Sequence, residues 1–428
     1  MFRKNVIFFF LLLCAHAVIA SQSSIEKKMN LEKVRSLIDQ NRSVIIETLN
    51  KQIAKDNLEQ RRTERLPEIL MNGDGYLGNN IPLSTNYKSD NNLLYHFNLS
   101  SEFDVYTGGM HKYAIERMLK EQQLSEKQLK AVQQDVELQA YVLLYDIHRN
   151  IKYKEFIHSS IHLREKEYER IEQLYKNGVV LKSDLLRSKL YITDLQKDEV
   201  EIKNSIDILS DKLRVLLGIK DDITITPELE KDLDYAVAES FEDLFQCTLQ
   251  NSPLLQMNHI RHNREEIALK EIHSAKLPHL KLYAQYGIGA AQPVLDYNHR
   301  LGGEVGVKLS LSLSSFYKTK NKIQAQRQRI SRKQYELTDN EEKLRNSLYE
   351  VYTRYHESLL NINRAIEKIA MSKESTRILR NSYFNQQALL IDVLESETQL
   401  MQASFEWVEA VVDSQKYYWA LKKISGIL

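Results

Sequence analysis

Glycine and proline are scarce in this sequence, with 13 and 6 residues among 428. Both residues interrupt regular backbone structure, so their scarcity predicts few turns and long helices. Lysine and arginine (59) nearly balance aspartate and glutamate (58), which leaves a formal net charge of +1. That balance gives no support to a nucleic-acid-binding protein, which would need a basic excess. Only Cys247 lies beyond the first twenty residues, so we expect no internal disulfide in the mature chain.

Beyond its N-terminus, the sequence also lacks an apolar run of the roughly 18 residues that a transmembrane helix needs. Residues 1–20 have the parts of an export signal: two basic residues, an apolar stretch and a small-residue cleavage site. We expect cleavage after Ala20. Lipidation of Cys14 is an alternative that Leu13 disfavours, because a small residue should precede a lipidated cysteine. An exported protein without a membrane-spanning helix enters a membrane only through strands closed into a barrel.

The sequence repeats itself over almost the whole mature chain. The stretch 174-LYKNGVVLKSDLLRSKL-190 has a later counterpart, 382-SYFNQQALLIDVLESETQL-400, and in both a Tyr precedes an Asp by nine positions. Around each motif the order is the same: a polar helical stretch (the first over about 25–62), a proline, a strand region and a long helical pattern. Such a repeat predicts that each half is one large supersecondary unit.

The repeat predicts the following units. They are a signal peptide (1–20), a first repeat (21–218) with strands over about 66–102 and a helical hairpin over about 109–217 with its tip at 176–184, a connecting segment (219–239), and a second repeat (240–428) with strands over about 278–314 and a hairpin over about 316–426 with its tip at 383–392.

Apolar residues in the helical parts recur with heptad spacing. They step alternately by four and three positions through Ile202, Ile206, Leu209, Leu213 and Leu216. This spacing predicts helices packed as a left-handed coiled coil. Nothing strongly interrupts a helix between Gly109 and Lys176, a stretch that would span about 100 Å.

The strand regions alternate between apolar and polar or small residues. The clearest case is the series Val305, Val307, Leu309, Leu311 and Leu313. Strands of about ten residues with one apolar face are typical of membrane barrels. An antiparallel sheet with one face on a soluble core gives the same alternation, so both arrangements remain open. Four strands cannot close a barrel, so a barrel would require several copies of the chain.

The tip motif has a structural explanation of its own. Asn177 and Gly178 are a turn signal, because glycine readily adopts the left-handed conformation that ends a helix. Asp184 can then accept the first free amide protons of the next helix. In the second copy Gln386 stands where the first has Gly178, so we expect the two tips to differ in environment.

The signal peptide, the two strand-and-hairpin repeats, the tip motif and the closing Leu-x4-Gly-Ile together resemble the TolC-type outer membrane factors. The resemblance implies a mainly α protein with a membrane β-barrel part. Three chains would form a homotrimer, with four strands each in a twelve-stranded barrel joined to a periplasmic α-helical tunnel. It further implies the exit duct of a tripartite efflux or type I secretion system. A periplasmic adaptor and an inner-membrane pump would open the duct by docking at the tips.

The resemblance also implies a periplasmic gate. Its rings of carboxylates would be Asp392 and Glu395, its tyrosine Tyr383, and the aspartate that ties down the inner hairpin Asp184. The sequence departs from the family pattern at Ala388, where a basic residue is expected. Six carboxylates in a narrow trimeric mouth would repel one another and attract cations, so we expect a cation-selective pore. Two solvated helix carboxylates are the alternative.

Other candidate sites are weak. His158 and His162, and likewise His259 and His262, have helical spacing that could hold a metal, but no cysteine or close carboxylate completes a site. We therefore expect no metal and no cofactor. Motifs of serine hydrolases, zinc proteases and P-loop proteins are absent from the sequence, so we expect no enzyme. The competing hypotheses are a periplasmic adaptor or coiled-coil scaffold without a membrane barrel, and a helical periplasmic enzyme.

Overall fold

The computed structural model describes residues 25–78, 92–220, 223–229, 240–289 and 300–428. The expected export signal at 1–20, with Cys14, lies outside the described residues. So does most of the two polar segments that separate the paired strands.

The described strands and helices follow one another in the same order in the two halves of the chain: two strands, a very long helix and a shorter helix. The strands are β1 (Ile25–Met29), β2 (Glu68–Gly78), β3 (Asn92–Tyr106), β4 (Ile223–Pro227), β5 (His279–Gly289) and β6 (Arg300–Ser310). The α-helices are α1 (Leu31–Leu37), α2 (Arg42–Thr63), α3 (Met110–Lys176), α4 (Lys182–Leu216), α5 (Phe241–Asn251), α6 (Pro253–Ser274), α7 (Ser315–Phe384) and α8 (Leu390–Ile424).

Strand β1 corrects the expectation of a helix that begins near residue 25. It pairs in parallel with β4, with Lys27 opposite Ile225. Met29 and Ile225 are both buried in the main core. The segment 219–239, expected to be a plain connection, therefore contributes a strand to a small sheet. The strand forms by pairing with a segment about 200 positions later in the sequence. The local composition, which is typical of a helix, gives no sign of that partner.

The other four strands form one antiparallel sheet in the order β2, β3, β5, β6. The central pair joins the two halves of the chain, with Leu99 of β3 opposite Tyr286 of β5. Strand β3 continues to Tyr106, beyond the predicted end at 102, and β6 stops at Ser310, short of the predicted 314.

The sheet has one apolar face and one polar face. Rows of cross-strand neighbours on the apolar face are largely exposed, and Met71 and Val305 are exposed to 81% and 84%. The polar face contains hydrogen bonds such as that from Gln285 to Glu304, at 2.6 Å. Among the described residues no helix packs along the apolar face. Within the described part of the chain, this face therefore covers no core.

A layer of four helices continues the sheet. Their packing order is α2, α3, α6, α7, which matches the strand order β2, β3, β5, β6. The match arises because β3 and β6 lead directly into α3 and α7, whereas α2 and α6 lead directly into β2 and β5. Each strand therefore has one helix in line with it.

Farther from the sheet, the hairpins α3–α4 and α7–α8 lie side by side in the order α4, α3, α8, α7. Helix α3 has 67 residues and so spans about 100 Å. The main core lies near its middle, where Leu144, Tyr145 and Ile147 are fully buried among residues of β1, β4 and α4. None of the described helices has the length and apolar character required to cross a membrane.

Two helix-ending glycines have different surroundings, which allows a matched test. A Cβ at Gly178 would have no atom within 4 Å, whereas a Cβ at Gly426 would lie 2.4 Å from the carbonyl oxygen of Asn251. Both glycines have positive φ, so Gly178→Ala is expected to cost about 1 kcal/mol from backbone strain alone. Gly426→Ala should lower the thermal midpoint further, because the end of α8 must also move away from α5. Equal midpoints for the two variants would contradict this packing.

Candidate functional site at the hairpin tips

The first hairpin tip turns as its sequence predicts. Helix α3 ends at Lys176, and Gly178 follows with a φ of 72°. The amide of Gly178 donates to the carbonyl of Tyr175, and that of Val179 donates to the carbonyl of Leu174, both at 2.9 Å. This pair of hydrogen bonds is the Schellman motif, which satisfies the last carbonyl groups of a helix.

The second tip makes the same turn without a glycine. Gln386 has a φ of 61° and is the only non-glycine residue with positive φ in the described part of the chain. Its amide donates to the carbonyl of Tyr383 at 2.9 Å, and the amide of Gln387 donates to that of Ser382 at 2.8 Å. The two tips thus share one turn geometry, and the second adds the strain of a non-glycine residue in the left-handed conformation.

The two motif aspartates occupy equivalent positions in the first turns of α4 and α8. Asp392 accepts a hydrogen bond from the backbone amide of Leu389 at 3.2 Å. Leu181, rather than Asp184, occupies the capping position of α4, so the expectation that Asp184 caps this helix is not met. Both carboxylates still lie near the positive end of a helix dipole, which stabilises negative charge.

Tyr383 is buried between the two hairpins. It belongs to an apolar cluster with Ile171 of α3 and with Leu390 and Val393 of α8. Burial and, secondly, the charge of Asp184 raise the pKa of Tyr383 to about 12. Its hydroxyl group is buried without a hydrogen-bond partner among the described residues. The structure thus brings Tyr383 and Asp184 together electrostatically, without the hydrogen bond that would tie the hairpins to each other.

Asp392 and Glu395 have a different environment. Both are exposed on α8, three positions apart, and neither contributes to the buried cluster. Of the four residues that the resemblance assigns to a gate, Tyr383 is therefore buried within the chain, where the charge of Asp184 acts on it, and Asp392 and Glu395 are exposed on the protomer surface.

A ring of four alternating charges links the hairpins close to these tips. Arg164 pairs with Glu167 and with Glu397, and Arg380 lies 2.9 Å from Glu167 and 3.0 Å from Glu397. Three helices contribute: α3, α7 and α8. The Arg164 and Glu397 side chains are only 5% and 6% exposed, and burial raises the pKa of Glu167 above its usual range. A buried ring of this kind holds the three helices in one arrangement, because moving any of them would leave a buried charge without its partner.

Sequence reasoning did not identify this ring, although Glu397 stands only two positions from Glu395. A signal was present in Arg164, which occupies an apolar position of the heptad pattern. A buried arginine requires a buried acid nearby, since an unpaired charge in a core is too costly. The identity of that acid depends on how α8 docks on α3, which the local sequence does not specify.

Two further contacts hold the hairpins together. The Arg170 guanidinium of α3 lies 3.7 Å from the ring centre of Phe384, at the end of α7. Tyr191 of α4 and Thr398 of α8 have their hydroxyl oxygens 3.4 Å apart. The two hairpins are thus joined by an apolar cluster, an ion ring and these polar contacts.

Within the described residues, the histidine pairs are not part of a metal-binding cluster. His158 lies 3.1 Å from Glu199 and is exposed. No group of three or more potential metal ligands comes together in the part of the chain that the structure describes.

The arrangement of sheet, helix layer and paired hairpins matches solved structures. A membrane protein from Pseudomonas aeruginosa superimposes with a TM-score of 0.82 at 14% identity, covering 92% of this chain and 90% of that one. The outer membrane protein VceC from Vibrio cholerae gives 0.77 at 15% identity, covering 92% and 96%. The open state of the MtrE outer membrane channel from Neisseria gonorrhoeae gives 0.73 at 14% identity, covering 92% and 89%.

The chain has the fold of an outer-membrane channel protein. The mainly helical chain fold expected from the resemblance to TolC-type factors is thereby confirmed. No protein-family model and no curated protein matches the sequence. At 12–15% identity the likeness concerns the fold, and the channel fold is recognisable although few residues are shared.

The ion ring predicts a strong asymmetry between two neighbouring glutamates. Glu397→Gln removes one of the two acids that pair with the buried Arg164, so it should lower the free energy of unfolding by about 3 kcal/mol. Glu395→Gln, two positions away and exposed, should change stability by no more than about 0.5 kcal/mol. Thermal unfolding, with hydrogen exchange of the first turns of α8, measures both. Similar effects of the two variants would show that the ring does not hold the hairpins together.

Proposed function

We propose that the protein is an outer membrane channel that serves as the exit duct of a tripartite efflux or type I secretion system. One observation carries the proposal: a sheet with an exposed apolar face continues into a helical layer whose longest members span about 100 Å. A membrane accounts for the apolar face, and a duct that crosses an aqueous compartment accounts for the length. The likeness to solved outer-membrane channels supports this function.

We further propose that three copies close the duct. In one protomer β2 and β6 are edge strands, and the helices in line with them, α2 and α7, are the edges of the helical layer. An unpaired sheet edge is a template for another strand. Joining β6 of one copy to β2 of the next would give a twelve-stranded barrel above twelve helices, as the resemblance implies.

Exposed apolar residues on the edge helices support this closure. The edges are α2 and α7 in the layer next to the sheet, and α4 and α7 in the row of hairpins. On α2 the exposed apolar residues are Ile45, Ile46, Leu49 and Ile53, and on α4 they are Leu186, Leu190, Val200, Ile208 and Val215. On α7 a third set, Tyr335, Tyr349, Leu360, Met371 and Ile378, is spaced by close to whole numbers of helical turns. Phe316 and Tyr317 at the start of α7, and Ile366, are exposed but are not counted in this set. Each set forms a stripe along its helix that a neighbouring copy would bury.

The hairpin tips would form the periplasmic mouth. Opening requires the α7–α8 hairpin to move away from α3, which separates the ion ring and the cluster around Tyr383. A periplasmic adaptor and an inner-membrane pump that dock at the tips would supply the energy for this separation. Asp392 and Glu395, which face outward from the protomer, would form the carboxylate rings of the mouth.

The adaptor hypothesis is less well supported. An adaptor would have one hairpin flanked by small β domains, whereas this chain has two hairpins and a four-stranded sheet with an uncovered apolar face. Solved structures with the same fold are described as outer membrane proteins and channels.

Cell fractionation tests the duct directly. The full-length protein is expected in the outer membrane, with the native mass of three chains after extraction in detergent. Leu49→Glu combined with Ile53→Glu places charges on the edge stripe of α2, so it should yield monomers.

Leu163→Glu is the control for that experiment, because Leu163 is exposed on α3, which is not an edge helix. It should leave the trimer intact. A wild-type protein that is a monomer or dimer in the periplasm would refute the proposed function and favour the adaptor or scaffold.

The carboxylate rings predict ion selectivity. Asp392→Ala combined with Glu395→Ala should abolish the preference for cations in single-channel recordings across a planar bilayer, because it removes the negative charge of the mouth. Asp194→Ala combined with Asp207→Ala removes two exposed acids from α4 and should leave the preference unchanged. If the Asp392 and Glu395 variant keeps wild-type selectivity, these residues do not line the pore.

A further inference from the structure

The first turns of α7 contain a run of basic residues that the proposed channel does not explain. Residues 318–333, which we call the basic segment, contain seven basic residues and no acidic one. They are Lys318, Lys320, Lys322, Arg327, Arg329, Arg332 and Lys333. All except Lys333 are exposed.

The basic segment directly follows the apolar end of the sheet. After β6 ends at Ser310, the exposed large apolar residues are, in order, Leu311, Leu313, Phe316 and Tyr317. Lys318 comes next. Aromatic residues are enriched where a membrane meets water, and lysine side chains there place their stems along apolar groups while their charges reach the headgroups. From Leu311 to Lys318 the residues change from apolar to aromatic to basic, which is the order expected where a chain leaves a membrane.

The three lysines nearest the sheet are not neutralised within the protomer. Among the described residues, Lys318, Lys320 and Lys322 form no ion pair. Two of the three acids of the adjacent helix α6 have other partners: Glu271 pairs with Arg117 at 3.0 Å, and Glu265 accepts from Gln326 at 2.7 Å. Positive charge thus accumulates at this edge.

These lysines also lie at the end of α7 where the helix dipole disfavours positive charge. The first turn of α7 contains no acidic residue, although the positive end of a helix dipole favours acids and disfavours lysines. Helix stability therefore does not explain their position. The buried residues Thr319, Ile323 and Gln326 separate two basic sides of the helix, so one basic side points away from the channel axis however α7 is oriented.

We propose that the basic segment binds the anionic phospholipid headgroups of the leaflet that adjoins the helical end of the sheet. Clusters of lysine and arginine beside a membrane segment attract anionic lipid surfaces in this way. This inference rests on the proposed function, since it requires the sheet to lie in a membrane. It adds a lipid partner of defined charge and the residues that hold it.

Lipid retention tests the inference. The purified full-length trimer should retain phosphatidylglycerol in preference to phosphatidylcholine when it is extracted from mixed bilayers, as measured by native mass spectrometry. Lys318→Gln, Lys320→Gln and Lys322→Gln together should weaken phosphatidylglycerol retention about tenfold or more.

The control variant combines Lys166→Gln, Lys203→Gln and Lys373→Gln, which removes the same charge from exposed lysines distant from the sheet. It should retain phosphatidylglycerol like the wild type. Equal loss in both variants, or equal retention of the two lipids by the wild type, would overturn the inference. Release of the lipid by inorganic phosphate, but not by chloride at the same ionic strength, would instead assign the segment to free phosphate.

Failure of this inference is distinguishable from failure of the proposed function. If the lysine variant forms conducting trimers with wild-type lipid retention but altered ion selectivity, the segment faces the lumen and only the lipid assignment is wrong. If the wild type does not reach the outer membrane, the proposed function itself is wrong.

Discussion

The structure depends on one helix remaining unbroken over about 100 Å. Helix α3 contacts α2 and α6 below the sheet, carries the central core near its middle, and packs on α4 and α8 toward the tips. A break in α3 would separate three layers at once. The scarcity of glycine and proline is the sequence-level condition for this continuity, and the heptad seam supplies the burial that keeps so long a helix folded.

Features set by neighbouring residues could be predicted from the sequence. The turn at Gly178 was predictable because the left-handed conformation is a local requirement that glycine meets. The alternation around Val305 likewise indicated a two-faced strand, because side chains of a strand point alternately to its two sides. Features that depend on distant partners could not be predicted. Strand β1 forms only because residues 223–227 lie beside it, and the pairing of β3 with β5 joins segments from different halves of the chain.

The candidate site shows the same division. The resemblance assigned Tyr383 and Asp184 to a gate, and the two lie close enough for the charge of Asp184 to raise the pKa of Tyr383. The ion ring was not identified because exposure and burial of Glu395 and Glu397 differ only through the docking of α8. Two glutamates two positions apart, with the same helix propensity, thus have opposite environments, one exposed and one buried. The strained turn at Gln386 is a second case, since the second tip lacks the glycine of the first while its hydrogen bonds repeat those of the first turn.

The one-to-one alignment of strands and helices has a geometric consequence. Each of β2, β3, β5 and β6 has its own helix in line with it. In the proposed three-copy assembly, the same number of elements would therefore set the circumference of the barrel and that of the tunnel. An evolutionary change in the number of copies would widen the barrel and the tunnel together. A change that altered only one of them would have to add or remove an element within the chain itself. In such an assembly, the diameters of the barrel and of the tunnel would change together during evolution.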